Sequence, residues 1–324
     1  MPGIEFILAG FEQGGTTLLS DLFRANGFES GFEGGVLLAE SPAEMHKFSP
    51  YWDNLLTGWG ITSQQREMAA LGDFEQFYDH LINAAFPSFS GRFFDKTPKY
   101  MERLGACLNR APFLRGAVVI HRDPRAVFYS MARKIAPELS PHAAVRRHFD
   151  HLSTRYLSYF SGCIAHIDNP KVLFVAYEDL VRNQNKWLKR IGSFVHGDTF
   201  KPRITVSRFS QVIGSCMEVG KAFEYKHAFD QGLQDQILSA TARAALFFDD
   251  SDSRAMYLPV WRTCLKNTQS VLGTYELPAI NCDIAGERFD PLTYLIRYPD
   301  VLHAKSDPVK HYVLHGKQEG RLAC

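Results

Sequence analysis

Between an apolar run that reads as a buried strand, Ile4 to Ala9, and an amphipathic run that reads as a helix, Thr16 to Ala25, lies the turn Gly10-Phe11-Glu12-Gln13-Gly14-Gly15-Thr16-Thr17-Leu18. No other feature limits the fold as sharply. A strand that passes through glycines straight into a helix N-terminus is the anion-cradling corner of parallel α/β proteins. The glycines let backbone N–H groups turn toward the anion, and the helix end adds about half a positive charge. Thr16 and Thr17 add hydroxyl donors. The triphosphate form of such a loop, G-x-x-x-x-G-K-[ST], carries lysine where this chain has Thr16. The loop therefore suits an anion of the single 5′-phosphate type better than ATP. A structural turn that merely needs glycine is the competing reading.

Three further short apolar strands, Arg92 to Phe94, Ala117 to Ile120 and Val172 to Val175, alternate with helical patterns at Ser63 to Ala85, Pro124 to Arg133, Pro141 to His166 and Glu178 to Phe194. Alternation of this kind predicts a P-loop-type, three-layer α/β domain with a central parallel sheet flanked by helices. Gly34 to Gly60 and Lys201 to Tyr225 lack clear periodicity and read as irregular cover over the sheet. The pattern changes near Leu277. Asp290-Pro291 and Asp307-Pro308 each pair an N-cap with a proline at the first helical position, so residues 277–324 read as a small helical tail behind a domain spanning 1–276.

Charge excludes several functions. With 36 Lys+Arg against 35 Asp+Glu, a net charge of +1, and no basic block longer than Arg146-Arg147, the chain offers no footprint for sequence-independent nucleic-acid binding. No apolar stretch is long enough to span a bilayer. The opening run is too short for a signal-peptide core, and six cysteines without a C-x-x-C pair suit a reducing compartment, so a cytoplasmic protein is expected. His148 and His151 have i, i+3 spacing, but no carboxylate or cysteine cluster accompanies them, and surface histidines with no metal are the expectation. Lys221 and Lys226 read as a solvated pair.

A second signal is Val118-Val119-Ile120-His121-Arg122-Asp123-Pro124-Arg125-Ala126-Val127-Phe128-Tyr129-Ser130. Here a strand ends and a helix begins. Asp123 as N-cap and Pro124 as first helical residue fix Arg122 at the carboxyl edge of the sheet, where α/β proteins bind ligands. Ser130 lies close to two turns further on, on the helix face above the cap, so Arg122 and Ser130 could grip one phosphate. A capped helix with a surface arginine is the plainer alternative.

The two stretches together resemble the sulfotransferases that use 3′-phosphoadenosine 5′-phosphosulfate (PAPS), over roughly residues 4 to 250. Asp95-Lys96-Thr97-Pro98-Lys99-Tyr100 and Tyr177-Glu178-Asp179-Leu180 fit the same family, nearest its bacterial, heparan-sulfate and protein-tyrosine branches. The resemblance implies that Gln13, Gly14, Gly15, Thr16, Thr17 and Leu18 hold the 5′-phosphosulfate, that Arg122 and Ser130 hold the 3′-phosphate, and that no metal is needed. Family members commonly carry Lys or Arg at the position of Gln13, which can donate a hydrogen bond but brings no charge. Lys96 is therefore expected to supply the missing positive charge. For the general base, the resemblance points to the loop carboxylate Glu33, with Glu29, Glu40 and His46 as alternates.

The tail resembles a small module of the F-D-P, Y-P-D-V, H-Y, E-G-R type found on bacterial proteins, often beside glycan-modifying enzymes. A carbohydrate acceptor is implied on that ground. A protein tyrosine or a small-molecule alcohol stays open, as do a nucleotide-dependent kinase and an inactive member that only binds nucleotide or glycan. The aromatic-rich stretches Phe48 to Trp59 and Phe74 to Phe89 are read as a possible sugar-stacking cleft or as core.

Overall fold

The computed structural model describes residues 3–164, 166, 169–195, 199–201 and 219–241 and, of the C-terminal region, 282–284, 287–289, 308–323 and a few residues between. Residues 1–230 and 231–324 form two compact units.

Unit one is built on five parallel strands: β1 (Ile4–Gly10), β2 (Phe28–Glu29), β3 (Arg92–Lys96), β4 (Gly116–His121) and β5 (Val172–Ala176), in the order β2-β3-β1-β4-β5. The helices are α1 (Thr16–Ala25), α2 (Tyr51–Thr57), α3 (Ser63–Ala69), α4 (Phe74–Ala85), α5 (Leu104–Arg110), α6 (Pro124–Ile135), α7 (Pro141–Arg147), α8 (Phe149–Ile164), α9 (Tyr177–Arg182), α10 (Gln184–Val195) and α11 (Tyr225–Ala228). Strand β4 is buried along its whole length, as a continuous Val/Ile run covered on both faces should be. Beneath α1, Phe6, Phe23, Phe28, Phe94 and Phe200 form an aromatic core, with the Phe6 and Phe23 rings 6.5 Å apart edge to face.

The strand order positions the site. From β1 the chain crosses to β2 and β3 on one side and only later adds β4 and β5 on the other. The loops leaving β1 and β4 therefore diverge from adjacent strands, with Gly10 paired to Ile120, and open a crevice at the carboxyl ends.

Three helical stretches are broken where the sequence reads as continuous. Ser63 to Ala85 splits into α3 and α4 because Asp73 and Gln76 form a capping box inside the apolar pattern, a second box at Thr62 and Gln65 starting α3. The pattern from Pro141 to His166 breaks at His148, and that from Glu178 to Phe194 breaks at Asn183. Strand β2 is too short to be read from periodicity. Much of the aromatic stretches is core: Trp59, Phe77 and Tyr78 are fully buried, Trp59 packing on Phe86 at 5.9 Å, and Arg66 stacks on Trp52 at 4.1 Å.

Unit two contains α12 (Gln231–Ala240), an antiparallel hairpin of β6 (Cys282–Ile284) and β7 (Glu287–Phe289), and α13 (Pro308–His311), which runs into a π-turn at Tyr312–Gly316. The hairpin has no counterpart in the sequence reading. Pro308 does begin a helix, while Asp290-Pro291 and the pattern change at Leu277 lie outside the described residues. Phe289, Tyr294, Val301 and Tyr312 make a small core of its own.

Candidate active site

The loop after β1 is shaped by close approach. A Cβ on Gly14 would stand 2.7 Å from the Phe11 carbonyl oxygen, and one on Gly15, whose φ is +104°, would stand 2.6 Å from the Tyr177 ring. Gly15 is also the N-cap of α1, so no side chain accepts from the first-turn N–H groups, which face whatever enters the crevice.

Across the crevice, Asp123 caps α6 by accepting from the Arg125 N–H at 2.8 Å, and Pro124 is the first helical residue, as the sequence predicts. Arg122 is thereby held at the sheet edge. Its guanidinium lies 4.5 Å from the Tyr177 ring centre and donates to the carbonyl oxygens of Gln13 at 3.1 Å and Lys221 at 2.5 Å. Its Nε is buried without a hydrogen-bond partner. Ser130 Oγ donates to Gln13 Oε1 at 3.0 Å. The two motif stretches, far apart in sequence, thus interlock at Gln13.

Between them lies a cavity of about 440 Å³, lined by Gln13, Gly15, Thr16, Thr17 and Leu18 on one side and by Arg122 and Ser130 on the other. Tyr129, Arg133, Tyr177, Lys221 and Glu224 complete the wall. Lys221 corrects the reading of a solvated lysine pair: the chain returns over the crevice, anchored by Tyr225, whose hydroxyl donates to Asp123 Oδ2 at 3.2 Å. Lys226 is exposed and stacks on Phe223 at 4.9 Å. Arg133 had a legible signal, since it follows Ser130 by three residues on one helix face. Lys221 had none.

Lys96 and Glu33 do not line that cavity. They meet beside it, at the carboxyl end of β3, where Lys96 is in register with Leu8 of β1. Lys96 Nζ donates to Glu33 Oε1 at 2.6 Å and lies 5.1 Å from the Phe32 ring centre. The segment around Lys96 is tied down by buried Asp95, which accepts from the hydroxyls of Tyr78 at 2.7 Å, Tyr100 at 2.5 Å and Thr97 at 3.2 Å. Burial still pushes the Asp95 carboxyl up from the usual range against those three donors. Thr97 Oγ1 in turn accepts from the Gly35 N–H at 3.0 Å, and Asn54 Nδ2 donates to the Glu33 carbonyl oxygen at 3.1 Å, which holds the Glu33 loop against β3.

Among the described residues, Gln13 and Glu33 are the two non-glycine residues with positive φ, 63° and 27°. Such backbone costs on the order of 1–3 kcal/mol and persists where the surroundings impose it, often at functional sites. The phenol of Tyr51 is pushed up first by burial and then by the Glu33 and Glu12 carboxylates, so the loop after β1 and the Glu33 loop face a common side chain. Glu12 itself accepts from Arg155 at 2.5 Å and from the Tyr159 hydroxyl at 2.9 Å.

The alternate base candidates are engaged elsewhere. Glu29 accepts from Arg24 at 3.0 Å, Glu40 from Arg110, and His46 Nδ1 contacts the Ala43 carbonyl oxygen at 2.8 Å. His142 pairs with Asp230, and among the described residues no group of three His, Cys, Asp or Glu side chains is placed to hold a metal ion. Cys107 and Cys163 are buried free thiols, the former pushed up by burial to about 12. No described helix is long and apolar enough to cross a membrane.

A glycine turn and an opposed arginine thus face one another at the carboxyl edge of a parallel sheet, the place where open α/β proteins bind ligands. The sequence profile of the sulfotransferase family matches residues 6–200, and the chain belongs to that family of sulfuryl-transferring enzymes. Among solved structures, the sulfotransferase domain of the olefin synthase from Synechococcus PCC 7002 shares the fold, with a TM-score of 0.54 at 19% identity over 77% of this chain and 96% of that one. The sulfotransferase domain from the curacin biosynthetic pathway has a TM-score of 0.46 at 17% identity, over 75% of this chain and 98% of its own. Mouse sulfotransferase SULT7A1, solved in complex with PAP, has a TM-score of 0.45 at 14% identity, over 78% and 87% of the two chains. No curated protein sequence matches the chain.

Proposed function

We propose that the protein moves the sulfuryl group of PAPS to a hydroxyl of a carbohydrate acceptor. The observation that carries the donor assignment is the single cavity in which the Gln13 to Leu18 loop faces Arg122 and Ser130, the two stretches joined through Gln13. The residues fit such a donor. Glycines keep the cradle clear of side chains, the first-turn N–H groups of α1 are without a side-chain cap, and Arg122 Nε is buried without an acceptor. Bound there, the donor supplies an activated sulfuryl group whose departure leaves negative charge on a phosphate oxygen.

Thr16, Thr17 and the N–H groups of α1 hold the 5′ anion, while Arg122 and Ser130 hold the 3′-phosphate. Glu33 takes the proton of the acceptor hydroxyl, and Lys96 stabilises the charge that develops on the leaving side. Their 2.6 Å ion pair couples the two roles. A protonated Glu33 no longer holds the ammonium by charge, so proton transfer to Glu33 frees Lys96 for the leaving oxygen. Gln13, drawn toward Ser130, contributes positioning and no charge. The carbohydrate acceptor rests on the branch of the family that the motifs resemble and on the resemblance of the C-terminal module. A panel of glycan, tyrosyl-peptide and small alcohol acceptors, incubated with radiolabelled PAPS, tests it: label on glycans alone supports the reading, and label confined to peptides or small alcohols overturns the acceptor while leaving the donor intact.

A further inference from the structure

We propose that Arg133 reads the 3′-phosphate of the donor and sets the enzyme's selection of a 3′-phosphorylated nucleotide over one without that group; this rests on the donor assigned above. The charge in the cavity is the starting point. Arg122, Arg133 and Lys221 are its cations and Glu224 its carboxylate. A phosphate monoester carries about −1.5 to −2 at neutral pH, so one guanidinium does not balance it. Arg122 already spends donors on the carbonyl oxygens of Gln13 and Lys221.

Arg133 lies three residues beyond Ser130 on α6, on the same helix face. Helical side chains lean toward the N-terminus, which carries this guanidinium back over the turn that bears Ser130. The observed position agrees: Arg133 Cζ lies 5.8 Å from the ring centre of Tyr129, four residues earlier and also on the cavity wall. Among the described residues the Arg133 guanidinium has no ion pair or hydrogen bond, and its Tyr129 ring contact leaves its planar fork of donors available to a phosphate in bidentate fashion. Arg133 is exposed, where substitution usually has little effect on folding.

Calorimetric titration with 3′-phosphoadenosine 5′-phosphate and with adenosine 5′-phosphate tests the proposal on wild type, Arg133→Ala and Arg133→Lys. Removing a charge-assisted contact should weaken the 3′-phosphorylated ligand by about 10- to 100-fold, with adenosine 5′-phosphate changed by less than about 3-fold and the lysine variant in between. An alanine variant that binds the 3′-phosphorylated ligand like wild type overturns the proposal, and so does equal weakening of both ligands, which would make Arg133 a wall of the pocket. Wild type that binds neither ligand overturns the donor reading itself, and the proposal with it, before any substitution is compared.

Discussion

Lys96 Nζ stands 2.6 Å from Glu33 Oε1, joining the end of β3 to a loop residue 63 positions earlier in the chain. The pair is gripped from both sides, by the Asp95 hydroxyl network under Lys96 and by the Thr97 to Gly35 hydrogen bond beside Glu33. In the proposed mechanism this buried lysine and its carboxylate partner act together.

Lys96→Ala should therefore lower kcat by about 100- to 1,000-fold, the usual effect of removing one group that stabilises developing charge. Glu33→Gln should cost about 100- to 10,000-fold through loss of the base. Because the two act as a unit, the double variant should fall about as far as the worse single one. Single-turnover sulfuryl transfer measures all three. Multiplied losses in the double variant would separate the two roles, and unchanged turnover in Lys96→Ala would remove Lys96 from the chemistry.

Arg122→Ala should abolish micromolar binding of 3′-phosphoadenosine 5′-phosphate. The change removes the guanidinium stacked on Tyr177 and also unties the Gln13 and Lys221 carbonyls that it bridges. Removing this half-buried guanidinium and its charge-assisted contacts costs about 1.5–3 kcal/mol, or roughly 10- to 100-fold in affinity. Calorimetry with ATP and ADP as controls reads the result. A wild-type preference for ATP would favour kinase chemistry over sulfuryl transfer.

The cavity was legible in the sequence because each half of it is local. A glycine turn between strand and helix, and an Asp-Pro cap after a strand, fix Gln13 to Leu18 and Arg122 to the sheet edge without knowledge of the rest of the chain. The Lys96 and Glu33 candidates came from resemblance, and their contact depends on long-range ties, Thr97 to Gly35 and Asn54 to Glu33, that no periodicity encodes. Lys221 is the same problem at greater distance: its place on the cavity wall follows from Tyr225 reaching Asp123. The helix breaks at Asp73, His148 and Asn183 were hidden because the apolar pattern runs through them, although the D-x-x-Q box at Asp73 was visible as a cap.

Gly15→Ala tests the cradle itself. At φ +104° an alanine is strained whatever the space, and its Cβ would stand 2.6 Å from Tyr177 Cδ2 and 3.1 Å from Ile120 Cδ1. The variant should lose about 1–3 kcal/mol of stability by denaturant unfolding and most of its nucleotide affinity. Retained affinity with lowered stability would show that the loop shape serves the fold more than the ligand.

Glu178 sets a pH dependence at the same sheet edge. Its carboxyl is buried and accepts from the Asp123 N–H at 3.0 Å. Burial, with the Asp123 carboxylate adding to it and Arg122 opposing, pushes it from 4.5 up to about 7. The folded protein thus holds this proton to about pH 7, whereas the unfolded chain releases it near 4.5. Between those values the folded state binds more protons, so stability falls as pH rises through the window and the loss is complete above it. At about 1.4 kcal/mol per pH unit, the window corresponds to roughly 3 kcal/mol. Glu178→Gln keeps an oxygen acceptor for Asp123 but cannot ionise. Urea unfolding at pH 5 and pH 8 should show wild type losing about 2.5 kcal/mol more than Glu178→Gln over that interval. Parallel behaviour of the two proteins would mean that Glu178 is already ionised, or never ionises, across the range, and that the Arg122 edge is held at constant charge.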